Sequence, residues 1–203
     1  MGVLNDDLLE RHHWIFDLDG TLTVPAHDFD AMRRELGIPA GVGILEALDA
    51  LEEATAAPKW ARLFAWEQEI AAAARVQPDA CALLDALVDR GVRLGVLTRN
   101  SAPIALETLR VVGLDAYFDP AFVLGRDAAA HKPSPEGVLR LLDLWGADPR
   151  DGVMVGDYVH DLRAGRAAGV ATVLVDRRGR GADWAAFADR VVDRLDALLE
   201  PPR

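Results

Sequence analysis

Five short apolar runs, each closed by a polar or glycine-rich turn and separated from the next by helical material, restrict this chain to few architectures. They are His13-Trp14-Ile15-Phe16 ending at Asp17, Val92 to Leu97 ending at Thr98, Phe122-Val123-Leu124, Gly152 to Val155 ending at Gly156-Asp157, and Ala171 to Val175 ending at Asp176. Short runs rich in Val, Ile and Leu read as strands buried on both faces, as in a parallel sheet. Between them lie amphipathic stretches: Pro78 to Arg90, Pro103 to Val112, Pro135 to Trp145 and Asp161 to Ala168. Prolines at three of the starts, and Gly91, Gly113, Gly146 and Gly169 after the ends, punctuate helices. The alternation predicts an α/β domain built on a doubly wound parallel sheet.

One interval breaks the rhythm. From Thr23 to Gln77 the pattern is helical only, with helices expected over Asp30 to Leu36, Gly43 to Ala54 and Pro58 to Arg75. In the third, Trp60, Leu63, Phe64, Ile70 and Ala74 form an apolar stripe that reads as core packing. The interval is expected to be a small helical cap (23–77) inserted into an α/β core made of 1–22 and 78–203. The acidic tail with Asp189, Asp193, Asp196 and Glu200 reads as the exposed face of a terminal helix.

Composition narrows the partners. Of 203 residues, 22 are Lys or Arg and 33 are Asp or Glu, a net charge of −11. Nucleic acid and anionic membranes are poor partners for such a surface. A small phosphorylated molecule remains open if a metal ion or local donors override the global charge. The single Cys81 excludes an internal disulfide and reads as a packed side chain. No run approaches the roughly 20 apolar residues of a membrane span. The acidic start Met1 to Asp7 has no basic segment of a signal peptide, so a cytoplasmic protein is expected, as monomer or homodimer. Lysine is rare: only Lys59 and Lys132 could serve a chemistry that needs one.

Ligands of open α/β sheets bind beyond the carboxyl ends of the strands. The polar residues there are Asp17 and Asp19, Thr98, and Asp157 with Asp161, while Lys132 sits in the loop His131-Lys132-Pro133-Ser134-Pro135. Several carboxylates at one rim repel unless a hard cation joins them, and Mg²⁺ prefers oxygen ligands. Thr98, Lys132 and the backbone N–H groups of Gly20-Thr21 offer donors for a tetrahedral oxyanion. A carboxylate facing a phosphoryl group can act as nucleophile, and another two residues on as acid and then base. The set describes Mg²⁺-dependent phosphoryl transfer.

Phe16-Asp17-Leu18-Asp19-Gly20-Thr21-Leu22 resembles the first motif of the haloacid dehalogenase superfamily of phosphohydrolases. Thr98 resembles its second motif, Lys132-Pro133 its third and Gly156-Asp157-Tyr158-Val159-His160-Asp161 its fourth, at successive intervals of 81, 34 and 25 residues. The resemblance implies a Rossmann-like core with a small cap, similar to phosphoglycolate phosphatases. It makes Asp17 the nucleophile and Asp19 the general acid/base, with Thr98 and Lys132 on the phosphoryl oxygens. Asp17 and Asp157 would hold Mg²⁺ through side chains, Asp19 through its carbonyl, and Asp161 directly or from behind. Arg99, standing where many relatives have Asn, is placed with the phosphate contacts, a solvent-facing guanidinium being the alternative. Val24-Pro25 replaces a common Asp-Ser pair. His27, Asp28, Arg33 and Arg34 near the cap entrance read singly as surface residues. His12 and His13 lack a clustered third metal ligand.

The function implied is hydrolysis of a small phosphomonoester through an aspartyl-phosphate. A dehalogenase would lack the acid at Asp19, and a phosphonate hydrolase would need a cap lysine, for which only Lys59 is available. A phosphomutase, with His27 as a second acid/base, and a non-catalytic phospholigand-binding module are the alternatives.

Overall fold

Strand β1 (His13–Phe16) lies inside a six-stranded sheet, with β2 (Arg93–Leu97) on one side and β4 (Gly152–Gly156) on the other. The structure is a computed structural model that describes residues 8–179 and 181–200. The acidic start Met1 to Asp7 lies outside the described residues. With β3 (Val123–Leu124), β5 (Ala171–Val175) and β6 (Arg190–Val192) the strand order is β3-β2-β1-β4-β5-β6, and all pairs are parallel. This is the expected doubly wound sheet, whose direction of winding reverses at β1, where ligands bind.

Alternation along β1 serves both faces. Trp14 and Phe16 enter the layer that holds Leu83, Leu84 and Leu87 of α4 (Ala80–Asp89) and Leu109 of α5 (Ala102–Val111). Ile15 joins Met154 in the opposite layer, against Leu141 and Leu142 of α6 (Glu136–Trp145) and Ala164 of α7 (Val159–Ala168). A strand apolar on successive residues can therefore only be central. Cys81 packs against the first layer as a free thiol.

The helical interval comprises α1 (Phe29–Leu36), α2 (Ile44–Asp49) and α3 (Glu53–Ala72), with a core of its own that includes Met32, Leu36, Ile44, Leu48 and Leu63. Its ends leave the sheet side by side: Val24 N–H donates to the Arg75 carbonyl and Gln77 N–H to that of Leu22, at 2.8 and 2.9 Å. Three expectations need correction. Helix α3 runs Glu53–Ala72 and carries Pro58 within it rather than at its start, so the second turn lacks the N–H that would have donated to Ala54. Trp66 joins the apolar cluster of the helical interval, whereas Phe64 is half-exposed and faces α5 beside Pro103 and Ile104. The acidic tail is strand β6 and a short 3-10 turn, Leu195–Leu199, which buries Leu195 and Leu198 against the core. No described helix is long and apolar enough to cross a membrane.

Candidate active site

Asp17 follows β1 directly, and its N–H continues the ladder by donating to the Val155 carbonyl at 2.8 Å. Its carboxylate is buried and held from two sides: Lys132 Nζ donates to Oδ1 at 2.6 Å and the Thr21 hydroxyl to Oδ2 at 3.2 Å. Lys132 is only 2% exposed and directs its ammonium at three oxygens, Asp17, Asp161 and the Leu97 carbonyl, each at 2.6 Å. Burial opposes that charge, yet the Asp161 and Asp17 carboxylates hold the ammonium at a pKa of about 12. The lysine is a fixed cation at any working pH. Thr98 closes β2 one residue beyond Leu97, buried, with its Oγ1 accepting from Asn100 N–H at 3.1 Å.

Asp17, Asp157 and Asp161 bring one oxygen each within 4.8 Å of one another. The backbone permits this approach only through glycine. A Cβ on Gly20, which has φ +95°, would fall 2.2 Å from Asp157 Oδ2, and one on Gly156 would fall 2.3 Å from the Asp161 carboxyl. Asp161 also accepts the Tyr158 N–H at 3.1 Å, at the start of α7. Burial, reinforced by Asp17 and Asp161, pushes Asp157 up to about 8; burial pushes Asp17 up to about 6 against the pull of Lys132. Carboxylates crowded this far beyond what one ammonium neutralises fit a hard divalent cation with oxygen ligands.

Asp19 sits across the Gly20 turn, half-buried, with its Oδ2 accepting from Asn100 Nδ2 at 2.7 Å. Burial and the neighbouring Asp17 charge push it up to about 7. His27, expected at the surface, has its side chain buried, with Nδ1 3.9 Å from Asp19 Oδ1 and its ring stacked on Phe29. Burial lowers its pKa, so the ring faces Asp19 as a neutral imidazole in neutral solution. Asp28 caps α1 by accepting Ala31 N–H at 2.9 Å.

Arg99 does not face the acidic cluster. Its guanidinium meets both oxygens of Glu46 on α2 at 2.7 and 2.9 Å and His160 Nδ1 at 2.6 Å, bridging the helical interval and α7. A second bridge was not apparent in the sequence: Glu67 of α3, 4% exposed, receives Arg126 at 2.6 and 2.8 Å. The available signal was a carboxylate in helical register with the buried Leu63 and Ala71. Other candidates stand apart. His12 and His13 turn their Nδ1 atoms to Asp151, Arg33 pairs with Asp30, and Lys59 donates to the Leu36 carbonyl inside the cap.

With acids and one buried lysine gathered at the point where a parallel sheet reverses its winding, the fold and site define a class of α/β hydrolase. A family model for haloacid dehalogenase-like hydrolases matches residues 13–169, and the chain belongs to that family. It is 30% identical over 181 residues to a haloacid dehalogenase-like hydrolase domain-containing protein of Arabidopsis thaliana, covering 82% of this chain and 71% of the other. It is 33% identical over 216 residues to a phosphoglycolate phosphatase of Cupriavidus necator, covering 93% of each. Among solved structures, a hydrolase from Pseudomonas syringae superposes with a TM-score of 0.78 at 22% identity, over 93% of this chain and 96% of that one.

Proposed function

We propose that this protein is a Mg²⁺-dependent phosphomonoester hydrolase that acts on a small phosphorylated metabolite through an aspartyl-phosphate on Asp17. The observation that carries the reading is the Asp17 carboxylate, pinned between Lys132 and Thr21 beside Asp157 and Asp161. Asp17, Asp157 and Asp161, with the Asp19 carbonyl, are the oxygens that would hold the ion. Bound there, Mg²⁺ supplies charge neutralisation for the phosphoryl oxygens.

The remaining chemistry falls to the chain. Lys132 keeps Asp17 ionised and fixed, and Lys132 with Thr98 orients the phosphoryl group. An Asp17 oxygen attacks phosphorus while the P–O bond to the leaving group breaks and Asp19 delivers its proton to the departing oxygen. Asp19, now a carboxylate, takes a proton from water; the resulting hydroxide attacks phosphorus, the Asp17–phosphorus bond breaks and orthophosphate leaves. A pKa near 7 suits Asp19 to both halves of the cycle. Arg99, already paired with Glu46 and His160, is read as joining the cap to the rim. The similarity to the phosphoglycolate phosphatase of Cupriavidus necator supports a small phosphorylated acid as substrate.

Metal removal tests the reading. EDTA is expected to abolish hydrolysis of an aryl phosphate, Mg²⁺ to restore it, and excess Ca²⁺ to inhibit, since Ca²⁺ takes more oxygen ligands and would compete for the carboxylate that attacks. Asp157→Asn removes a carboxyl that the metal-free fold must hold protonated, since burial pushes it up to about 8. It is expected to stabilise the metal-free protein by about 1 kcal/mol, or about 2–4 °C in melting temperature, while abolishing both activity and the Mg²⁺-induced rise. Full activity in EDTA, or a Mg²⁺-induced rise that survives in Asp157→Asn, contradicts the assignment.

A further inference from the structure

Two buried charges at the cap–core seam, Glu67 and Arg126, have no part in the chemistry above. Arg126 lies in the loop after β3, and Glu67 reaches it from the buried face of α3. The pair is bidentate, at 2.6 and 2.8 Å, with side chains only 4% (Glu67) and 11% (Arg126) exposed, and the Trp60 ring lies 5.3 Å from the guanidinium. Paired charges taken out of water give little net stability, so a well-packed pair of this kind suggests a geometric task.

The task is visible in what else Arg126 holds. Its Nη1 donates to the Arg99 carbonyl at 3.1 Å, and its backbone N–H donates to the Asn100 carbonyl at 2.9 Å. Arg126 thus grips two consecutive peptides of the loop after β2. Asn100 is the residue whose amide donates to Asp19 at 2.7 Å, and its N–H is further tied to Thr98 Oγ1 at 3.1 Å. A continuous line of hydrogen bonds runs from Glu67 in the cap through Arg126 and the Arg99–Asn100 backbone to the Asp19 carboxyl.

We infer that Arg126 and Glu67 are positioning residues that set Asp19 for proton transfer to the leaving group only when α3 is seated on the core. The inference rests on the reading of Asp19 as general acid. With the cap lifted, Glu67 leaves Arg126, the grip on the loop slackens and Asn100 no longer fixes Asp19. Proton delivery is thereby tied to cap closure over a substrate, and a misplacement of about 1 Å is enough to cost about 10²-fold.

Leaving-group dependence isolates this role from a merely structural one. A 4-nitrophenolate departs without a proton, whereas an alkoxide needs one. We would measure kcat/KM, which reports the step that phosphorylates Asp17, for 4-nitrophenyl phosphate and 2-phenylethyl phosphate. The enzymes are wild type, Arg126→Met, Arg126→Lys, Glu67→Gln and Asp19→Asn. Arg126→Met and Glu67→Gln are expected to lose at least about tenfold more on the alkyl than on the aryl ester, and Asp19→Asn about 10²–10⁴-fold more. Arg126→Lys falls between, since a point-charge ammonium keeps the charge but cannot reproduce the bidentate fork that Arg126 presents to Glu67. Should Arg126→Met fail to fold, Arg126→Lys and Glu67→Gln carry the same comparison. Equal losses on both esters in the Arg126 and Glu67 variants, with Asp19→Asn selective, overturn the inference and leave the pair a simple cap strut. An unselective Asp19→Asn instead overturns the role of Asp19 itself.

Discussion

Asp17→Asn is expected to lower turnover of any phosphomonoester by about 10⁴–10⁶-fold, the scale on which removal of a catalytic nucleophile acts. The amide oxygen is neutral and cannot form the acyl-phosphate bond at a useful rate. Shape and packing are preserved, because Asn presents the same heavy-atom outline to Lys132 and Thr21, whose donors sit at 2.6 and 3.2 Å from the carboxylate. Circular dichroism should match wild type while phosphate release, followed by a coupled assay, falls to background. Retention of wild-type turnover would remove Asp17 from the chemistry.

Lys132→Met is expected to be the most destabilising single change in the site. The ammonium is buried and touches two carboxylates and a carbonyl, so its loss leaves Asp17 and Asp161 facing each other uncompensated. Breaking a buried pair by removing one partner typically costs about 3–5 kcal/mol, which in a chain of this size lowers the melting temperature by roughly 10 °C. The loss carries a pH signature. Burial raises Asp17 to about 6 and Asp157 to about 8, both above the unfolded carboxylate value. A carboxyl raised in this way contributes stability in full below the unfolded value and loses it as pH rises through the folded one. The metal-free protein should therefore weaken from about pH 4 towards pH 8 at this site, and Lys132→Met should weaken more steeply. Thermal melts of the metal-free variant that are flat between pH 5 and 8 contradict this account. Activity should fall with stability, because the phosphoryl group loses a fixed cation.

Much of this was legible in the chain. Five of the six strands announce themselves as Val- and Ile-rich runs closed by Asp, Thr or Gly, and the topology then gathers Asp17, Asp157, Asp161 and Lys132 without further information. β6 escaped because Arg190–Val192 is three residues long with Val191 exposed, and the helical spacing of Leu195 and Leu198 is met by a 3-10 turn. His27, Glu67 and Arg126 escaped for a different reason. Their partners lie across the cap–core seam, 40 or more residues away except for His27, and no local periodicity encodes how three helices settle on a rim. Arg99 shows the converse: its place beside Thr98 suggested phosphate, yet the cap supplies Glu46 to take its guanidinium.

The central claim is that Asp17 carries the phosphoryl group and Asp19 moves protons around it. The most direct measurement is to mix Asp19→Asn with Mg²⁺ and 4-nitrophenyl phosphate, quench in acid, and digest for mass spectrometry. The aryl leaving group departs unassisted, but water lacks its base, so the intermediate should persist. The account predicts one added phosphoryl group on the peptide containing Asp17, in near-stoichiometric amount. A phosphoryl group on another residue, or none while 4-nitrophenol is still released catalytically, would contradict it.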